Sequence, residues 1–390
     1  MVPNGWKATT FNNHIDCLTG YAFKSSDYSD SFNSIKLLRG DNIEPSRLRW
    51  KDAKYWSVDK LHGLDKFYLE EGDFVIALDR TWVSNGLKVA EVKAIDMPCL
   101  LVQRVIRIRA KDTLEQGLLK QYFSGNQFEQ YVKAVQTATA VPHISPNDIK
   151  DFPVLLPPLA EQQKIAQILS TWDKAIAVTE QLLANSQQQK KALMQQLLTG
   201  KKRLLDENGA RFEGEWEEFS LGNIAKVYQP KTISQSQLSF DGYPVYGANG
   251  IIGYYCDFNH ELEQIAVTCR GSTCGVVNWT MPKSWITGNA MVINVDNNSA
   301  ISKKFLFYVL SNADLKYLIT GSGQPQITGD IKNHVVHLAS FKEQKVIAQV
   351  LTIADQEIEV LQRKLDCLQQ EKKALMQQLL TGKRRVKVAA

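Results

Sequence analysis

The chain lacks any run of about 18 uncharged apolar residues, so a membrane-spanning helix is not expected. Its first residues, Met1-Val2-Pro3-Asn4-Gly5-Trp6, have neither a basic n-region nor an apolar h-region, which argues against a secretory signal peptide. Cysteine is sparse and scattered. Of the six (Cys17, Cys99, Cys256, Cys269, Cys274 and Cys367), the nearest pair, Cys269 and Cys274, is too wide for the C-x-x-C of a zinc or redox site. The expectation is a reducing, cytoplasmic setting, no bound metal, and cysteines acting as small apolar fillers.

Excess charge is also missing. The net charge is +5, and residues 1–160 carry 20 basic and 19 acidic side chains, 161–205 carry 7 and 3, 206–342 carry 10 and 13, and 343–390 carry 9 and 6. The surplus sits on the second and fourth stretches, so any nucleic-acid face on the larger ones must come from arrangement. With 44% apolar residues in 390, the chain has material for two or three packed domains, and disorder throughout is excluded.

Catalytic motifs are absent as well. There is no G-x-x-x-x-G-K-[ST] loop; Gly200-Lys201 and Gly382-Lys383 lack its upstream glycine and read as helix C-caps. No H-E-x-x-H, G-x-S-x-G or kinase set occurs. Pro157-Pro158 follows Leu156, not the Asn or Asp of an amino-methyltransferase motif. Asp73 and Asp79, on a strand-like run, read as turn and surface groups. The chain is therefore expected to have no catalytic residues and no cofactor of its own.

What is present is a duplication. KKALMQQLLTGKKR begins at Lys190 and KKALMQQLLTGKRR at Lys372, agreeing at thirteen of fourteen positions. The same offset carries Glu161, Gln162, Ile165, Ala166, Leu169 and Asp173 onto Glu343, Gln344, Ile347, Ala348, Leu351 and Asp355, and Asp148-Ile149-Lys150 onto Asp330-Ile331-Lys332. The order is globule, helix, globule, helix.

Both repeated segments predict long helices with apolar residues at alternating spacings of four and three. One seam runs through Ile165, Leu169, Trp172, Ile176, Leu183, Leu193 and Leu197; the other through Ile347, Leu351, Ile358, Leu361, Leu365, Leu368, Leu375 and Leu379. Each helix ends at a Thr-Gly pair followed by Lys and Arg, which suit a left-handed C-cap and the negative end of the helix dipole. So narrow a seam needs a partner, and the other copy is at hand. The spacing leaves open whether the pair is parallel or antiparallel, or whether each helix packs on its own globule.

The globules cannot be aligned with each other between their shared borders. The first has strand-like runs at 74–78 and 101–108 and a helical stretch at 114–135. The second has strand-like runs at 264–268 and 290–295, a Gly/Tyr-rich stretch at 243–255 and a helical stretch at 304–319. After each first run comes a polar loop: Arg80, Thr81, Trp82, Ser84, Asn85 and Lys88 in one, Arg270, Gly271, Ser272 and Thr273 in the other. A third loop, 321–328, carries Gln324 and Gln326. Arg suits guanine O6 and N7, Asn and Gln suit adenine, and Ser and Thr suit phosphate. Candidate DNA-binding residues are thus Arg80, Trp82, Asn85, Lys88, Arg270, Ser272, Thr273, Gln324 and Gln326, although each loop alone also fits plain solvated surface.

LPPLAEQQKIAQIL (156–169 from its Leu-Pro-Pro onward), its echo FKEQKVIAQVL (341–351) and the paired LMQQLLTGK segments resemble the specificity (S) subunit of type I restriction-modification systems. The second copy departs from the frame in reading Leu338-Ala339-Ser340-Phe341 where the first has Leu156-Pro157-Pro158-Leu159. The resemblance implies an α+β fold: two globular α/β target recognition domains (1–155 and 206–340) separated by two long helices (156–205 and 341–390), packed as an antiparallel coiled coil with a pseudo-twofold internal repeat. It further implies a non-catalytic subunit that reads an asymmetric bipartite sequence in double-stranded DNA, one half-site per domain. Its partners would be two modification (M) subunits, holding S-adenosylmethionine for adenine-N6 methylation, and two restriction (R) subunits, using ATP and Mg for cleavage. Two rival readings stay open: a protein-only coiled-coil adaptor, and a divergent nuclease with its own site.

Overall fold

The computed structural model describes residues 2–29, 33–84, 86–136, 143–248, 250–321 and 324–388. The chain divides into two units, Met1–Thr179 with Lys364–Ala390, and Glu180–Arg363. Each unit therefore holds one globule and part of each long helix.

The strands of the first unit are β1 (Lys7–Thr10), β2 (Ile15–Thr19), β3 (Ser34–Leu38), β4 (Lys54–Ser57), β5 (Phe74–Ala77), β6 (Val89–Glu91), β7 (Cys99–Leu101), β8 (Val105–Ala110) and β9 (Pro153–Leu156). β1 pairs with β9; β6-β5-β8-β2 form an antiparallel sheet; in a third sheet β3 lies parallel to β7 and antiparallel to β4. Those of the second unit are β10 (Glu217–Ser220), β11 (Lys226–Tyr228), β12 (Tyr243–Gly247), β13 (Gly250–Tyr255), β14 (Ile265–Thr268), β15 (Val277–Trp279), β16 (Trp285–Ile286), β17 (Ala290–Asn294) and β18 (Val335–Leu338). β10 pairs with β18, β15-β14-β17-β11 form an antiparallel sheet, and β12 lies parallel to β16 and antiparallel to β13. Apart from two-residue pairs (Ile43–Glu44 with Arg47–Leu48, Trp82–Val83 with Gly86–Leu87, and Ile319–Thr320 with Gln326–Ile327), the two bodies that the sequence would not align have one topology.

The central strands explain why the apolar runs are continuous instead of alternating. β5 is buried on both faces: Phe74 and Ile76 enter one core, Val75 and Ala77 another. β14 repeats this with Ile265 and Val267 on one side and Ala266 on the other. Such runs mark where a strand lies but not where the chain changes sheet. The run read as one strand over 101–108 is broken at Gln103-Arg104, because β7 pairs parallel with β3 while β8 pairs antiparallel with β5. The stretch read as one helix over 114–135 is two, α1 (Gln116–Phe123) and α2 (Asn126–Gln136), parted at Ser124-Gly125. The helical stretch read to 319 ends earlier, as α4 (Lys303–Asn312).

The long helices are α3 (Leu159–Leu197) and α5 (Phe341–Leu379). Ile165, Leu169, Leu183, Leu197, Ile347, Leu351, Leu365 and Leu379 are buried; Trp172, Ile176, Leu193, Ile358, Leu361, Leu368 and Leu375 are half-buried. In the first unit the start of α3 meets the end of α5: Asp173 pairs with Lys372 at 2.6 Å and Glu161 with Arg385. In the second the end of α3 meets the start of α5: Lys190 pairs with Asp355, Arg203 holds Glu343 through Nε at 2.7 Å, and Ser186 Oγ donates to Glu357 at 3.1 Å. The helices are antiparallel in both units, and the repeat offset carries each ion pair onto its counterpart.

The same symmetry anchors the globules. Gln162 accepts from the Glu115 amide at 2.9 Å and donates to the Thr113 and Pro157 carbonyls, tying α1 to α3. Gln344 accepts from the Ser302 amide at 2.9 Å and donates to the Ala300 and Ala339 carbonyls, tying α4 to α5. Both helices stop at a left-handed glycine, Gly200 (φ 67°) and Gly382 (φ 68°), a conformation an L side chain would strain.

Candidate nucleic-acid interface

In the first unit the connection from β5 to β6 does not form the open polar loop expected for it. Trp82-Val83 and Gly86-Leu87 pair as a small hairpin, with Trp82 half-buried against the core and the Lys133 amine 4.4 Å above its ring. Arg80 is exposed, with φ +47°. Lys88 is placed differently from the solvated position its sequence context predicts: it is 7% exposed, and burial pulls its pKa below the ordinary lysine value, with Asp41 opposing and Arg80 adding to that shift. The residues between β3 and β4 lie alongside, since the Ser46 amide donates to the Val89 carbonyl at 2.9 Å. Asn85 lies outside the described residues. Asp73, expected at the surface, is 2% exposed and holds Arg109 at 2.9 Å. Asp79 accepts from His143 Nδ1 at 2.6 Å and faces Arg104 at 3.4 Å.

In the second unit, loops read separately in the sequence converge. Arg270 bridges to Gln326, the Gly271 amide donates to the Pro325 carbonyl at 3.1 Å, and the Ile327 amide to the Cys269 carbonyl at 3.0 Å. Thr268 and Thr273 both donate to the Ala248 carbonyl, the latter at 3.1 Å, which ties the β12–β13 turn to the same corner. Arg270, Ser272, Gln324 and Gln326 are exposed there, and Thr273 is half-buried.

The corners occupy one place in the fold and differ in chemistry. The first sets Arg104 and His143 against one carboxylate, Asp79, with Arg80 next in the chain and Lys133 over Trp82. The second offers one arginine and two glutamine amides. Both sets suit base edges and phosphates. Among the described residues no group of three or more His, Cys, Asp or Glu is placed to hold a metal ion, and no helix is long and apolar enough to cross a membrane. Sequence reasoning passed over Arg104, which looked like mid-strand, and His143, which no motif marks; their signal is the tertiary meeting with Asp79.

Two stretches of the chain, residues 26–185 and 213–370, match the family model described as the type I restriction modification DNA specificity domain. The chain belongs to this family. The type I restriction enzyme MjaVIII specificity subunit of Methanocaldococcus jannaschii is 27% identical over 208 residues, covering 53% of this chain and 48% of that protein. The EcoAI specificity subunit of Escherichia coli is 31% identical over 182 residues, covering 46% of this chain and 30% of that protein. The chain thus spans about half or less of the length of these curated relatives. A crystal structure of a type I restriction-modification S subunit from M. genitalium shares the fold, with a TM-score of 0.68 at 16% identity and 96% of each chain covered. A chain from a structural study of complex assembly and conformational transition in a type I R-M system gives 0.53 at 17% identity, covering 98% of this chain and 100% of that one. Each matched stretch of this specificity-domain protein contains one of the two corners; the second also holds a whole four-stranded sheet, while the first holds three strands of its sheet, β2 (Ile15–Thr19) lying ahead of it.

Proposed function

We propose that this chain is the DNA-reading subunit of a type I restriction-modification complex and recognises two short words in double-stranded DNA separated by a fixed gap. The observation that carries the reading is the pair of topologically equivalent, chemically unlike corners, borne on helices that pass unbroken from one unit into the other. A 39-residue helix spans about 58 Å and does not stretch, so the gap between the words is constant. Unlike corners read unlike words, which makes the target asymmetric.

Catalysis in this reading belongs to partners. Two modification subunits carry S-adenosylmethionine and methylate adenine at N6, and two restriction subunits use ATP and Mg to cleave. Docking by twos is supported by Val178 and Val360, which the repeat offset superimposes and which are 60% and 54% exposed. Gln187, Gln188 and Gln189, further along α3, are also exposed and polar.

Mapping methylated adenines in host DNA carrying this subunit with its modification partner tests the proposal. The expected result is two words with an invariant gap. One continuous word, or cleavage or methyl transfer by the purified chain alone, would overturn it.

A further inference from the structure

The hydrogen bonds around the two corners fix a residue-by-residue correspondence that sequence alignment does not provide. Ala77 pairs with Val105, and Thr268 with Ala290. One residue on, the Leu78 amide donates to the Arg104 carbonyl at 2.9 Å, and the Cys269 amide to the Asn289 carbonyl at 3.0 Å. The Leu78 carbonyl accepts from the Ile144 amide at 2.9 Å, and the Cys269 carbonyl from the Ile327 amide at 3.0 Å. The next residues bridge in the same way, Asp79 to His143 and Arg270 to Gln326. Asp79 therefore stands where Arg270 stands, Arg104 where Asn289 stands, and His143 where Gln326 stands.

Resting on the proposed function, we infer that these three places are the base-reading positions of the fold, and that Arg104, His143 and Asn289 are specificity-determining residues. The triplets differ at every place, in charge and in hydrogen-bonding pattern, while the scaffold around them is shared. Arg104 also has φ +71°, a backbone conformation that glycine adopts at no steric cost and an L side chain does not. A long cation kept on a left-handed turn is a strained choice for a connection between strands, and strain of this kind gathers at functional sites. The guanidinium is well exposed, its side chain 67% accessible, and Asp79 at 3.4 Å steers it.

The chemistry then divides between the units. Arg104 matches guanine O6 and N7, and Asp79 accepts from cytosine N4, so the first unit reads a G·C pair. Asn289 and Gln326 match adenine N6 and N7, so the second unit reads an A·T pair beside the base taken by Arg270.

The test uses the whole subunit with its modification partners and base-resolution mapping of methylated adenine. Arg104→Gly removes the guanidinium at a place where glycine relieves strain, so the melting temperature holds or rises. The first word loses discrimination at one G·C position by about tenfold or more, and the second word is unchanged. Asn289→Asp, close to isosteric, gives the converse: loss at one A·T position of the second word only. His143→Gln alters the first word only. Unchanged words in these variants overturn the assignment, and so does a uniform drop at both words with steeper sensitivity to salt, the mark of a phosphate contact. If the unsubstituted chain yields no gapped pair of words, the proposed function fails instead.

Discussion

The two units diverge most where their strands are joined. β3 and β4 are linked by residues 39–53, which include the two-residue strands Ile43–Glu44 and Arg47–Leu48, whereas only two residues of chain separate the equivalent β12 and β13. The connection after β5 is an eleven-residue excursion that buries Lys88; the one after β14 is shorter and tied down by Thr268 and Thr273. By contrast, the ion pairs and glutamine anchors that hold each globule to the helices are kept pair by pair. Connections vary freely because the repeated helix segments, not the loops, fasten each body. The fastenings are not equally dry, however. Glu343 is fully buried and Arg203 20% exposed, against 11% and 41% for Glu161 and Arg385.

Arg203→Ala probes that asymmetry with the largest effect. It strands a carboxylate in the interior and is expected to cost about 3–5 kcal/mol in denaturant unfolding. Arg385→Ala, at an exposed guanidinium, is expected to cost clearly less; equal losses would mean the two pairs are buried alike.

Leu169→Ala and Leu351→Ala test the shared part. Both side chains are fully buried at equivalent helix positions, so each is expected to lose about 3 kcal/mol. A large difference between them would break the equivalence of the two helix cores.

Acidification gives the smallest effect. Burial lowers the pKa of His260 and His334, both in the second unit, so their neutral forms are favoured in the fold. Unfolding then takes up protons. The stabilisation is fully present above the ordinary histidine value of about 6.5 and is lost as the pH falls below it. In the first unit only His14 among the described residues shows a lowered value, from burial with Lys7 and Lys111 adding, and it is less deeply set. Amide protection factors, which correct for the slower intrinsic exchange in acid, should therefore fall more in the second unit between about pH 7.5 and about pH 5.5. An equal fall in both units would assign the effect to the carboxylates instead.

The helices were legible because their signals are local and periodic: a four-three seam, a glycine stop and a repeat offset that matched Glu161 to Glu343 and Asp173 to Asp355 before any contact was known. The strand runs at β5 and β14 were legible for the same reason. The corners were legible only in part. Arg80, Arg270 and the glutamines stood out as polar loops, but Lys88 looked solvated because nothing local shows that residues 39–53 lie beside it. Arg104 looked like mid-strand because a run buried on both faces reads alike before and after a change of sheet.

The sequence by itself determined the duplication, the helical seams and the absence of catalytic motifs, since each depends on residues near one another in the chain or on identity at a fixed offset. The tertiary structure alone decided that the unlike bodies share one topology, that the helices run antiparallel, and that Asp79, Arg104 and His143 meet. Those facts rest on pairing between segments far apart in sequence, where hydrogen-bonded backbone is indifferent to side-chain identity and leaves no pattern to read.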